Sequence, residues 1–84
     1  MKITFKLYAS LTQYLPADAR SSNRVELDVP ADATVAGIVA PYGMPPKLVH
    51  LVLVNGVFIK PEDRATRTLV EGDVLAIWPP VAGG

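Results

Sequence analysis

The amino-acid sequence predicts an α+β fold in which a mixed β-sheet of four or five strands packs against one main helix. Residues 2–7 alternate strictly between apolar and polar side chains, as half-buried strands do. Asn55-Gly56 lies between two β-branched runs, which is a strong signal for a two-residue hairpin turn. The main helical segment lies between these strands and is closed by Pro41. At 84 residues, the chain has room for one small domain.

The first two strands are expected to form a hairpin with a long connection. Residues 24–29 alternate in the same way as residues 2–7. The side chains expected on the buried face are Ile3, Phe5 and Leu7 in the first strand and Val25, Leu27 and Val29 in the second. Residues 9–23 contain proline, aspartate, serine and asparagine, and therefore predict a connection with at most a short helical turn around residues 11–15.

The helix begins after Pro30, with Asp32 or Thr34 as its N-cap. It must end near Ala40, because Pro41 cannot continue a helix. Its apolar positions are Val35, Ile38 and Val39.

Two further strands and a final one follow the helix. Residues 51–60 (LVLVNGVFIK) predict a tight hairpin, and residues 61–73 are polar and predict a loop. Residues 74–78 form the last strand, which Pro79-Pro80 ends. The order ββαβ(β)β, with one helix across one face of the sheet, predicts a β-grasp domain over residues 1–78.

One face of this sheet is expected to be partly uncovered. The outward positions of the first two strands are polar, whereas residues 51–54 and 74–78 are apolar on both faces. A single helix covers only one face, and an exposed apolar patch is typical of a docking surface. The alternative is that the loops at 9–23 and 61–73 fold back over the patch. The residues assigned to the docking face are Val52, Val54, Val74, Ala76 and Trp78.

The composition excludes most catalytic and metal chemistry. Eight basic and eight acidic side chains cancel and are spread along the chain, which argues against a nucleic-acid or membrane partner. The chain has no cysteine, and His50 is its only histidine, so thiol catalysis, thiolate metal sites and a zinc site with two nitrogen ligands are not expected. The mixed charges of residues 60–67 predict a solvated loop. We therefore expect neither a catalytic site nor a bound cofactor.

The sequence favours a cytoplasmic location. Lys6 and the alternating pattern around it interrupt the apolar stretch that a secretory signal requires. No segment reaches the length of a transmembrane helix.

Residues 79–84 predict an extended tail that acts through its terminal carboxylate. No charged side chain follows Asp73, the two prolines stiffen the exit from the last strand, and Gly83-Gly84 is bare backbone. Fully extended, the last five residues reach about 16–18 Å, enough to enter another protein's active site. A carboxylate is unreactive as an electrophile until a partner activates it with ATP as an acyl-adenylate. A sulfur donor then gives a thiocarboxylate, or an amine gives an amide.

The segments EGDVLAIWPPVAGG and LVLVNG, together with the ATV of residues 33–35, resemble the MoaD/ThiS sulfur-carrier family. The ending IWPPVAGG closely resembles that of the MoaD-like small subunit of molybdopterin synthase. This resemblance implies a ubiquitin-like β-grasp whose Gly84 is adenylated by an E1-like adenylyltransferase and receives sulfur from a donor protein. It further implies that Gly83 is a spacer and that Trp78 lies beside the partner. The tail implied to enter the large synthase subunit consists of Pro79, Pro80, Val81, Ala82 and Gly83.

Three alternatives to a molybdopterin carrier stay open. The chain could serve another sulfur pathway such as thiamin thiazole synthesis, although the two prolines disfavour it. It could be a protein modifier joined to lysines through Gly84, or a plain binding module. Pro41 and the proline-rich residues 41–46 depart from the family pattern and leave open which partner the body recognises.

Overall fold

The computed structural model describes residues 1–80, which form five strands and one α-helix. The strands are β1 (Lys2–Leu7), β2 (Arg24–Asp28), β3 (Leu51–Val54), β4 (Val57–Phe58) and β5 (Val74–Trp78), and the helix is α1 (Val35–Val39). Short 3-10 helices cover Ala9–Tyr14, Ala17–Ala19, Ala40–Tyr42, Pro46–Leu48 and Pro61–Asp63. Within the described part of the chain, no helix is both long and apolar enough to cross a bilayer.

The strands form one mixed sheet in the order β2-β1-β5-β3-β4. β1 runs antiparallel to β2 and parallel to β5, and β3 runs antiparallel to both β5 and β4. The last strand in the chain therefore lies in the middle of the sheet. This arrangement is the predicted β-grasp.

The local signals place the helix and the hairpin turn where the sequence predicts them. Thr34, rather than Asp32, is the N-cap, because its Oγ1 accepts a hydrogen bond from the Gly37 N–H at 3.1 Å. The α-helix ends at Val39, and a 3-10 turn containing Pro41 follows.

The turn between β3 and β4 has positive φ at both central residues. Asn55 has φ 50° and Gly56 has φ 81°. These are the signs that a type I′ turn requires, and asparagine and glycine tolerate them best. The predicted hairpin is confirmed.

The hydrophobic core lies on one side of the sheet, beneath α1. The loops at 9–23 and 61–73 contribute Leu11, Leu15, Ala19 and Leu69 to this core, and Arg64 of the second loop also lies 5.9 Å from the centroid of the Phe58 ring. The buried apolar residues are Ile3, Phe5, Leu7, Leu11, Leu15, Ala19, Val35, Ile38, Met44, Val52, Val54, Ile59, Leu69, Leu75 and Ile77.

The predicted facing of β3 is wrong. Val52 and Val54 are 0% and 1% exposed and belong to the core, so they are not part of a docking face. In the register of β3 and β5, they lie opposite Ile77 and Leu75. Because β3 is apolar at every position, its sequence does not distinguish the two facings, and the register with β5 decides between them.

This register is supported by a part-buried polar contact between the exposed Asn55 and the buried Asp73. Asp73 is 7% exposed; its Oδ1 accepts a hydrogen bond from Asn55 Nδ2 at 2.8 Å, and its Oδ2 accepts one from the Val70 N–H at 2.9 Å. Asn55 Oδ1 in turn accepts from the Val74 N–H at 2.9 Å, and the Asn55 N–H donates to the Val74 carbonyl. The turn after β3 is thereby joined to the first residue of β5.

The turn before β5 is also joined to β1. The Gly72 N–H donates to the Lys2 carbonyl at 2.8 Å, and the Thr4 N–H donates to the Asp73 carbonyl at 2.9 Å. Glu71 Oε1 accepts from the Lys2 N–H at 2.9 Å. Both neighbours of β5 are therefore aligned at its first residue.

Replacing Asp73 with alanine should lower the free energy of unfolding by about 2 kcal/mol, because it leaves the Asn55 amide and the Val70 N–H without their acceptor. The urea midpoint of unfolding, followed by circular dichroism, measures this loss. Asp18→Ala, which removes an exposed carboxylate, is the control and should change the midpoint little. Equal midpoints for the two variants would show that the contact contributes nothing to stability.

Candidate functional site

The end of β5 is held on both flanks up to its last residue. The Tyr8 N–H donates to the Ile77 carbonyl at 3.1 Å, and the His50 N–H donates to the Trp78 carbonyl at 3.2 Å. Pro79 and Pro80 follow, and neither has an N–H to continue the ladder. The chain therefore stops pairing with the sheet immediately after Trp78.

The sheet face opposite the core carries an apolar strip beside this exit. Cross-strand pairs place Leu51 opposite Trp78, and Leu53 opposite both Ala76 and Phe58. Leu51 is 37% exposed and Phe58 49%, while Leu53 and Trp78 are half-buried. We call this set, with the half-buried Val74, the outer strip: Leu51, Leu53, Phe58, Val74, Ala76 and Trp78.

An aromatic stack closes the outer strip at the tail end. The rings of Tyr8 and Trp78 are 3.9 Å apart between centroids and nearly parallel, at 7°. Stacking holds the Trp78 indole flat beside the chain exit and limits its rotamers. A flat, half-exposed aromatic surface of this kind is well suited to contact a second protein.

The other half of the outer face is charged. Lys6 lies between Ala76 of the outer strip and Arg24 of β2, its neighbours across the two adjoining strands. Lys6 and Arg24 are like charges directly opposite each other, an arrangement that slightly destabilises the pairing of two strands. Their cationic groups border the outer strip along its β1 side.

Arg64 supports the segment that enters β3. Its Nη1 donates to the Val49 carbonyl at 3.1 Å, its Nη2 to the His50 carbonyl at 3.2 Å and its Nε to the Ile59 carbonyl at 3.1 Å. The guanidinium also lies 5.9 Å from the centroid of the Phe58 ring. Burial lowers the pKa of Arg64, and the charge of Glu62 opposes this shift.

The prediction that residues 60–67 are a solvated loop is therefore wrong for Arg64. Its three carbonyl contacts connect the loop to the backbone of His50, which in turn holds the Trp78 carbonyl. Only the fold brings these carbonyls together, so no sequence signal marks this arginine.

The structure brings together three of the five residues assigned to the docking face. Val74, Ala76 and Trp78 point away from the core, although Ala76 is only 7% exposed, while Val52 and Val54 lie on the opposite side. Sequence reasoning missed four residues on the outer face, and the alternation of β3 alone could not reveal them: Tyr8, Leu51, Leu53 and Phe58.

The structure describes only the first two residues of the tail. Pro79 is half-buried and Pro80 is exposed. Val81, Ala82, Gly83 and Gly84 lie outside the described residues, so their assigned roles stay predictions. Across residues 1–80, no group of three or more histidine, aspartate or glutamate side chains could hold a metal ion.

Comparison with known proteins gives a family and a set of related structures. The model of the ThiS family matches residues 13–84. Among curated proteins, no sequence matches the chain. The family match confirms the predicted resemblance to the MoaD/ThiS group.

Solved structures resemble the chain over nearly its whole length. SAMP1 of Haloferax volcanii, a small archaeal modifier protein, is 28% identical with a TM-score of 0.67, and the match covers 100% of both chains. The H. volcanii protein HVO 2177 is 22% identical with a TM-score of 0.73, covering 100% of this chain and 87% of that one. A Pyrococcus furiosus protein named for molybdopterin converting factor, subunit 1, is 19% identical with a TM-score of 0.67, covering 96% of this chain and 99% of that one. These structures confirm the ubiquitin-like β-grasp.

Tyr8→Ala should raise the solvent exposure of Trp78 and lower the free energy of unfolding by about 1 kcal/mol, because it removes one side of the aromatic stack. Trp78 is the only tryptophan, so its fluorescence reports this site alone. A red-shifted emission maximum and stronger acrylamide quenching are expected. Tyr8→Phe keeps the stacked ring and should behave like the parent protein; identical emission from both variants would contradict the stack.

Proposed function

The chain belongs to the ThiS family of ubiquitin-like sulfur carriers and modifiers, and from that premise we propose that it is a sulfur carrier for molybdopterin biosynthesis. Gly84 is the residue that is adenylated and then converted to a thiocarboxylate. The large subunit of molybdopterin synthase receives the tail and uses the sulfur to build the dithiolene of the cofactor.

The observation that carries this proposal is the position of the tail exit beside the outer strip. Trp78 is both the last residue of β5 and a member of the strip, so the tail leaves the sheet from the surface that docks. If a partner covers Leu51 and Trp78, the tail is therefore directed into that partner from Pro79 onward. Pro79 and Pro80 keep the next residues extended and unpaired.

In this proposal the protein itself performs no catalysis. An E1-like adenylyltransferase binds ATP, joins AMP to the Gly84 carboxylate and releases pyrophosphate. Hydrosulfide delivered by a donor protein then attacks the acyl carbon and displaces AMP, which leaves the thiocarboxylate at Gly84. The carrier contributes the carboxylate, the reach of residues 79–84 and the docking surface.

A second candidate function is protein modification through Gly84. It is favoured by the similarity to SAMP1, which is 28% identical over the full length of both chains. The same adenylate would react with a lysine amine of a target protein and form an amide. The two functions share the first step and differ in the nucleophile that follows.

Alkylation of the isolated protein with a thiol reagent, followed by fragmentation in a mass spectrometer, tests the sulfur carrier directly. Because the chain has no cysteine, an adduct at Gly84 identifies a thiocarboxylate. We expect this adduct in protein isolated from cells in which the pathway is active. Deleting Gly84 should abolish the adduct and sulfur transfer, while leaving the urea midpoint unchanged.

Further measurements beside the alkylation experiment separate the alternatives. An unmodified carboxylate together with high-mass conjugates on a denaturing gel would replace the carrier by the modifier. An adduct whose sulfur appears in a thiazole and not in molybdopterin would keep the carrier chemistry and overturn the pathway. Full function of a variant lacking residues 81–84 would leave only a plain binding module.

Leu51→Lys should reduce formation of the Gly84 thiocarboxylate at least about tenfold in a cell extract supplied with ATP, because it puts a charge in the outer strip opposite Trp78, beside the tail exit. Val70→Lys is the matched control, since Val70 is 66% exposed and precedes the opposite end of β5. The yield is measured as alkylated protein. Equal yields from both variants would show that the outer strip does not contact the adenylyltransferase.

A further inference from the structure

We propose that the groove between β2 and α1 binds an extended segment of a partner protein, which adds to the edge of β2 as a strand and places a lysine or arginine beside Asp28. This site is separate from the outer strip and from the tail. It gives a role to Pro41, which the proposed function leaves without one.

The outward edge of β2 offers a set of backbone hydrogen-bonding groups. The Leu7 N–H donates to the Asn23 carbonyl and the Val29 N–H to the Met1 carbonyl, so these pairs are the hydrogen-bonded ones in the antiparallel register. Hydrogen-bonded and non-hydrogen-bonded pairs alternate along such a ladder. The residues of β2 whose N–H and carbonyl groups consequently point away from β1 are Arg24, Glu26 and Asp28.

Among residues 1–80, no strand pairs with this edge of β2. The other edge strand of the sheet, β4, has only two residues, whereas β2 has five. An edge of that length is the kind of template to which an extended segment adds.

An apolar groove runs along the same edge on the core side of the sheet. It has a volume of about 560 Å³ and lies between Leu27 and Val29 of the β2 side and Ala33, Gly37 and Tyr42 of the helical side. The groove exists because α1 is only five residues long and is followed by a turn containing Pro41. Alternate side chains of an added strand would point into this groove.

Tyr42 forms the far wall of the groove. Its ring packs against Phe5 with centroids 4.7 Å apart, which anchors the wall to the core. Burial raises the pKa of the Tyr42 hydroxyl, so it remains a neutral donor at physiological pH. The groove is therefore a rigid apolar surface with one polar group at its side.

The charge at the groove selects a cationic segment. Among residues 1–80, Asp28 is the only charged residue that lines it, and the Asp28 side chain is 77% exposed. The amino terminus contacts Asp28 Oδ1 at 3.4 Å, but its shorter bond, 2.7 Å, goes to the Val29 carbonyl. Asp32, on the connection to α1, is also exposed. A segment with apolar residues at alternate positions and a terminal lysine or arginine complements this surface.

The groove and the tail lie at opposite ends of the sheet. Asp28 lies opposite Lys2 at the start of β1, whereas the tail leaves beside Tyr8, just past the end of β1. One partner could thus occupy the groove while another holds the tail. The site is consequently independent of whether Gly84 carries sulfur.

Nuclear magnetic resonance titration of the full chain tests the site. The probe is the acetylated, amidated peptide Lys-Val-Thr-Val-Thr-Val-Lys, whose apolar residues alternate, added to the ¹⁵N-labelled protein up to about 2 mM. We expect the amide shifts to be largest at Arg24, Glu26 and Asp28 and along residues 33–42. The same peptide with N-methyl groups on alternate residues should not bind, because it cannot complete the strand pairing.

Two variants and their matched controls test the two parts of the site. Glu26→Pro removes an outward N–H from the β2 edge while keeping the backbone bonds to β1, and should weaken binding at least about tenfold. It also removes the hydrogen bond from Thr4 Oγ1 to Glu26 Oε1, so Glu26→Ala, which removes that bond alone, should bind like the parent protein. Asp28→Lys keeps the backbone, removes the contact of Asp28 with the amino terminus and reverses the charge, and should weaken binding about two- to fivefold. Asp18→Lys makes the same charge change away from the groove and should leave binding unchanged.

Each of three results would overturn the proposal. The first is no amide shifts with the lysine peptide or with a control peptide in which both lysines are replaced by glutamate. The second is amide shifts confined to the outer strip. The third is shifts of the β2 amides that depend on protein concentration without peptide, which would mean that a second copy occupies the edge. Tighter binding of the glutamate-flanked peptide would overturn the assigned charge.

Discussion

The contact between Asn55 and Asp73 aligns β3 with β5 and so favours one of the two possible facings of β3. It joins the turn after β3 to the start of β5 and so sets the register of two strands that are apolar at almost every position. A shift of β3 by one residue would turn Leu51 and Leu53 toward the core in place of Val52 and Val54, and so remove them from the outer strip. The polar contact thus specifies an arrangement that hydrophobicity alone leaves undecided.

The sequence predicts the elements of this fold well because each is determined locally. The alternation in β1, the Thr34 cap, the Pro41 stop and the Asn55-Gly56 turn each act within a few residues. The facing of β3 is different, since it depends on a contact between residues eighteen positions apart. The roles of Arg64 and Tyr8 are equally non-local, because their partners come together only in the folded chain.

The sequence therefore predicts the type of the candidate site, but only some of the residues that form it. The tail motif indicated the MoaD/ThiS group, which the ThiS family match confirms, whereas the docking surface and the extended arm stay predictions. Identifying the residues that form this surface required the register between β3 and β5. The groove beside β2 follows from a feature visible in the sequence, Pro41, but its free edge follows from the strand order.

The central position of β5 has a mechanical consequence for a protein that is handled by its tail. A force applied through Pro79 acts along the β5 axis and loads the hydrogen bonds to β1 and β3 together, in shear. Breaking the sheet then requires several bonds to fail at once, whereas a tail on an edge strand would let them open one after another. In the proposed function, a partner that pulls on the tail would therefore load these bonds together and would not open the sheet strand by strand.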